Sequence, residues 1–160
     1  ERLSEGQIIS LIHKVSSRHA IVDLALRYLM LFSQRAAFFV VKKDRIAGLE
    51  IAGNMTSRSA IRSYWVPISS ESTLRHVVTE KRIHLGPIGR NAADSILAAA
   101  LGGRPKRILA IPVQISGRVI GILYADQFKV DMPPWNKIER LSEVVGGNLK
   151  RLLLSKENRP

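Results

Sequence analysis

A chain of 160 residues, 46% of them hydrophobic, has the length and apolar content for one domain with a core of its own. No apolar run approaches the length needed to span a bilayer, no signal peptide is visible, and the absence of cysteine excludes disulfides, thiolate metal sites, thioether-linked chromophores and cysteine nucleophiles. The 25 Lys and Arg against 13 Asp and Glu leave a net charge of +12, which favours nucleic acid, anionic lipid or an acidic ligand as partner, or only keeps the surface soluble.

The chain opens at Glu1 directly before helix-like sequence and is read as a piece of a larger protein. Ser4 is placed to cap a first helix whose stripe is Ile8, Leu11, Ile12 and Val15. Ser16-Ser17 breaks the pattern. A second helix is expected from about Arg18 to Ser33, with Ile21, Leu24, Ala25, Tyr28, Leu29 and Phe32 at helical spacing. The first helix is too short to stand alone, so it packs on the second, on the last helix or on a second copy of the chain.

Arg35 to Lys43 is a strand candidate with four consecutive large apolar residues, Phe38 to Val41. A polar turn at Lys43-Asp44-Arg45 leads into a second strand, Ile46 to Ala52, and Gly53-Asn54 opens a loop through Met55-Thr56-Ser57-Arg58. Tyr64 to Ile68 is a short third strand, which Pro67 confines to an edge or a strand end. Ser69 to Ser72 offers cap hydroxyls for a short helix with Leu74, Val77 and Val78 on its apolar face, and Lys81-Arg82 ends it. Ile83 to Arg90 is a loop. Asn91 caps a helix from Ala92 to Leu101, Asp94 adds negative charge to its first turn, and Gly102-Gly103 stops it.

Ile108 to Ile115 and Val119 to Tyr124 are adjoining strands, joined by Ser116-Gly117 in a tight turn. Both runs are apolar at both parities, which predicts strands covered on both faces at the centre of an antiparallel sheet. Asp131 to Pro134 leads into a final helix through Trp135, Ile138, Leu141, Val145, Leu149 and Leu152, and Gly146-Gly147 weakens its continuity. The order gives an α+β domain: helices in 1–33, an antiparallel sheet with inserted short helices in 35–128, and a last helix in 133–156.

Ala36 to Val41 before its polar turn, Val66-Pro67-Ile68 before Ser72-Thr73-Leu74, and above all Ile111-Pro112-Val113 followed by Gly117-Arg118-Val119-Ile120-Gly121-Ile122-Leu123-Tyr124-Ala125-Asp126 resemble the GAF domain family over nearly the whole chain. The resemblance implies five or six antiparallel strands, terminal helices on one face that often dimerise, and a small-molecule pocket on the other. It further implies a sensory or regulatory module of a bacterial, cytoplasmic signalling protein. The asparagine-lysine-phenylalanine-aspartate-glutamate set of cyclic-nucleotide-binding members is not discernible, and the bilin-tethering cysteine is absent. A methionine-sulfoxide-reducing activity, known among GAF-like folds, fails on the missing cysteines.

His13, His19, His76 and His84 show no metal-ligand spacing, so no metal site is expected and no cofactor is specified. No nucleophile elbow or phosphate-loop spacing occurs, and no catalytic residue is assigned. Asp126 is expected to be a turn or capping carboxylate. If the resemblance holds, Tyr64, Trp65, Arg75, His76, His84, Arg90, Gln114 and Tyr124 converge on a pocket suited to a planar or anionic ligand. The bland alternative is that the aromatic residues complete a filled core. Ile8, Leu11, Ile12, Val145, Leu149 and Leu152 are expected to form a homodimer interface. The second functional reading is a ligand-free interaction scaffold whose basic surface docks an acidic partner or nucleic acid.

Overall fold

The computed structural model describes residues 2–54 and 57–157; the expectations for Glu1, Met55 and Thr56 lie outside them. Among the described residues six helices and six strands follow in the order α1 (Glu5–Lys14), α2 (Arg18–Leu29), β1 (Ser33–Val41), β2 (Arg45–Gly53), α3 (Arg58–Ser63), β3 (Trp65–Pro67), α4 (Thr73–Glu80), β4 (His84–Gly86), α5 (Ala92–Ala100), β5 (Ile108–Ile115), β6 (Arg118–Phe128) and α6 (Trp135–Glu157). The strands form one antiparallel sheet in the order β3-β2-β1-β6-β5-β4, an α+β architecture. β3 is an edge strand, as Pro67 requires, because proline has no N–H to give a second neighbour.

The double-sided apolar pattern of β1, β5 and β6 has a direct cause. Ala36, Phe38, Leu109, Ile111, Val113, Leu123 and Ala125 face α1, α2 and α6, forming one core. Their neighbours in sequence, Ala37, Phe39, Ile108, Ala110, Ile122 and Tyr124, face the opposite way into a second core with Ile61, Leu74 and Leu97 of α3, α4 and α5. The side-chain period of two therefore feeds two cores from one set of strands. The β5–β6 turn takes positive φ at both central residues, Ser116 (51°) and Gly117 (80°), the mirror-image turn that matches the twist of a hairpin.

Helix starts follow the expected chemistry. Ser4 and Gln7 form a reciprocal capping box, and the side chains of Ser17, Ser72 and Asn91 accept from the third residue of α2, α4 and α5. Three expectations differ. The second helix stops at Leu29, and Ser33 already belongs to β1. The stretch after Ser57 forms α3, a single capped turn with Ile61 as its buried anchor, too short for a periodic stripe. His84 to Gly86 is an edge strand, paired with Ile108 to Ala110, although it shows no strand-like alternation.

α6 runs unbroken through Gly146-Gly147. Gly146 sits against β5, where any Cβ would press into the backbone carbonyl of Gln114, whereas nothing lies within 4 Å of a Cβ on Gly147. The first glycine permits close helix–sheet contact; the second only lowers helix propensity. Gly146→Ala should therefore destabilise by about 1–3 kcal/mol, and Gly147→Ala should stabilise by up to about 1 kcal/mol. Thermal melts of the two variants test this, and shifts of the same sign would contradict the packing.

Candidate functional site

The sheet face beneath α3, α4 and α5 is the place where the eight expected ligand residues were to meet. Its centre is occupied by the protein itself. The Phe39 ring makes edge contacts with Tyr64 (centroids 5.6 Å apart) and Tyr124 (5.8 Å), and all three rings are buried. Leu74 and Leu97 close over them from α4 and α5.

Of the eight, the ring contacts join only Tyr64 and Tyr124, through Phe39. Trp65 lies outward on the edge strand, 52% exposed, with the Arg45 guanidinium over its ring at 4.8 Å. Its alternation with buried Tyr64 and Val66 turns it away from the core and from the face where the pocket was expected. Arg75 is half-buried, whereas Arg90 and Gln114 are exposed. His76 is also exposed and meets Glu71 at 2.6 Å, and the Nε2 of His84 donates to the carbonyl of Pro87 at 2.9 Å. Among the described residues no three His, Asp or Glu side chains gather as a metal site.

A polar constellation at the end of this face escaped sequence reasoning. Arg35, at the start of β1, forks onto Asp126 near the end of β6; its Nε donates to Oδ1 at 2.7 Å and its Nη2 to Oδ2. Its Nη1 donates to the carbonyl of Leu101 at 2.8 Å, where α5 ends, and the Tyr124 hydroxyl donates to Asp126 Oδ2 at 2.6 Å. Arg35 and Asp126 are buried, so Asp126 is the anchor of an internal ion pair, in place of the expected turn or cap. The two residues are 91 positions apart, and only their facing register on β1 and β6 joins them. Asp94 is similar. Beyond its expected place in the first turn of α5, it accepts from the Thr73 amide (2.9 Å) and hydroxyl (2.8 Å) and from the Gly89 amide (3.0 Å), fastening α4 and the preceding loop to α5.

On the opposite face, Ile8, Ile12, Val145 and Leu149 are buried within the chain's own core. Two helices packed on α6 use them up, so they are not free to form the expected dimer contact. Leu11 is 37% exposed, Leu152 is half-buried, and Leu153 and Leu154 are about half exposed (51% and 48%).

These arrangements place the chain in the GAF-like fold. Residues 122 to 287 of a methyl-accepting chemotaxis protein superpose on it with TM-score 0.77 and 16% identity, over 94% of this chain and 99% of that one. The GAF domain of a phosphoenolpyruvate-protein phosphotransferase from Coxiella burnetii superposes with TM-score 0.73 and 13% identity, covering 96% of this chain and 94% of that one. A free methionine-R-sulfoxide reductase from Neisseria meningitidis does so with TM-score 0.70 and 13% identity, over 94% and 89% of the two chains. No family model matches the sequence, and no curated protein matches it. At such identities the likeness establishes the fold.

The buried polar groups set two expectations. Asp126→Ala strands the Arg35 guanidinium without its counter-charge, and urea denaturation should show a loss of about 3–5 kcal/mol. The double variant Arg35→Met/Asp126→Leu should lose less than the single one, since no charge is left buried; a larger loss would contradict the pairing. Burial, above all, raises the pKa of Tyr28, Tyr64 and Tyr124, which are all of the chain's tyrosines. The unfolded chain ionises first, near the ordinary tyrosine value of about 10, so their contribution to stability is complete below that pH and is lost as pH rises above it. Ultraviolet titration should show every tyrosine of the folded protein ionising at higher pH than in the unfolded chain. One tyrosine ionising near its ordinary value in the folded protein would contradict this.

Proposed function

We propose that the chain is a non-catalytic regulatory module of a signalling protein, which senses a ligand or partner and passes the change to neighbouring domains through its terminal helices. The observation that carries this reading is the division of the molecule by one sheet. α1, α2 and α6 share a single core with one face, so a change in the strands meets the chain's two terminal segments together. Polar contacts add to that coupling: Lys137 of α6 forms an ion pair with Glu5 of α1 at 2.8 Å, and Arg151 donates a hydrogen bond to the carbonyl of Val15 at 2.9 Å. The likeness to a chemotaxis protein supports a sensory setting. A reductase shares the fold, but this chain has no thiol with which to reduce a sulfoxide.

The relay acts in a homodimer, through the apolar side chains that the intramolecular core leaves over. Leu11 and Leu152 to Leu154 lie on α1 and α6, the two helices that Arg151 ties together near their C-terminal ends. Light scattering should give a mass of two chains for the wild type and one chain for Leu153→Glu/Leu154→Glu. A monomeric wild type, or a variant that keeps the dimer mass, would sink this interface. Both leucines are exposed, so the substitution leaves the core intact.

A ligand-free scaffold is the second reading, favoured by the ring cluster that fills the sheet face. A ligand seated on that face must displace Tyr64 or Tyr124 and would raise the melting temperature by binding only the folded state. The scaffold reading expects no such rise from planar compounds directed at the rings.

A further inference from the structure

At the end of the sheet where β1 begins, β6 ends and α5 gives way to β5, a cleft of about 580 Å³ opens. It is separate from the ring-filled face, and the expected ligand residues do not line it. Arg35, Arg104, Lys106 and Arg107 line it, with Asp131 as the carboxylate among them. Arg35 is already neutralised by Asp126, which leaves three cations against one carboxylate.

The guanidinium groups are held in place by the protein. Arg107 lies over the Phe128 ring at 4.9 Å and donates to the Asp131 carbonyl at 2.7 Å. Arg104 donates to the Gly89 carbonyl and, at 3.3 Å, to Ser95 Oγ. The carbonyl of Leu101 at the end of α5 would repel an anion, but it is occupied by Arg35. Lys106 is exposed and, among the described residues, enters no ion pair. Phe128, Leu101, Pro105 and Val130 give the same cleft an apolar wall.

We propose that this cleft binds a small phosphate-bearing organic molecule, with the phosphate between Lys106 and Arg107 and the organic body along the apolar wall. A dianionic phosphate offers several oxygens to guanidinium forks and a lysine ammonium, and fixed forks lose little freedom on binding. The volume lies within the range of roughly 300–1,000 Å³ typical of small-molecule sites. The site stands on the cleft's own geometry; only its use as a regulatory input rests on the function proposed above.

The test is calorimetric titration of the whole chain with AMP, adenosine and inorganic phosphate at fixed ionic strength. AMP should bind saturably and more tightly than inorganic phosphate, and adenosine should bind far more weakly. Lys106→Gln/Arg107→Gln should weaken AMP by about tenfold or more, whereas Lys42→Gln/Lys43→Gln, which removes the same charge from a hairpin tip outside the cleft, should change it less than about twofold. The single variant Lys106→Gln, at an exposed position, should lose several-fold with its melting temperature unchanged. No saturable AMP binding, adenosine binding as well as AMP, or equal losses in the two double variants would overturn the site. None of these results depends on dimer formation, so the site and the relay fail independently.

Discussion

Central strands covered on both faces leave no lateral surface for chemistry. In β1, β5 and β6 most residues contribute to one of two cores, and a polar side chain in mid-strand would meet apolar neighbours on either side. Polar groups are consequently displaced to the strand ends. Arg35 stands near the start of β1, Asp126 near the end of β6, and the ion pair between them closes the second core where α5 finishes. The same constraint explains why Phe39, Tyr64 and Tyr124 fill the region below α4 and α5: rings in edge contact supply the apolar volume that those two short helices need beneath them.

Much of the fold was legible because its signals are local and repeated. The aliphatic runs from Ile108 to Tyr124 reveal burial on both sides, Ser116-Gly117 marks the turn, and cap residues mark three helix starts. α3 was missed because six residues are too few for a helical period to emerge, and β4 because its three residues are all half-buried and show no alternation. Gly146 gave a misleading signal. Its low helix propensity was visible in the sequence, but the backbone it approaches is 32 positions away, and only the tertiary contact reveals its use.

The candidate site was much less legible, again for a physical reason. Alternation predicts which side of a strand a residue takes, but not whether the space on that side is empty. Tyr64 and Tyr124 do fall on the expected face, yet they meet through the Phe39 ring, which both contact edge-on. The terminal helices carry the same ambiguity: a stripe of Ile8, Ile12, Val145 and Leu149 records that burial is needed without recording whether the cover comes from the same chain. The Arg35–Asp126 pair had no signal short of the strand register itself.

The fit of Gly146 against Gln114 also restricts how α6 moves. Turning the helix by one residue step, about 100°, would set the branched side chain of Val145 against the carbonyl of Gln114, or turn Gly147 in and Val145 out of the core. The helix is thus keyed to the hairpin as a shaft is keyed to a hub. It can tilt together with β5, but it cannot spin on its own axis while the hairpin stays fixed. A domain joined to the end of α6 would inherit the orientation of the sheet, and a displacement of β5 at one end would reach it as a swing of the whole rod.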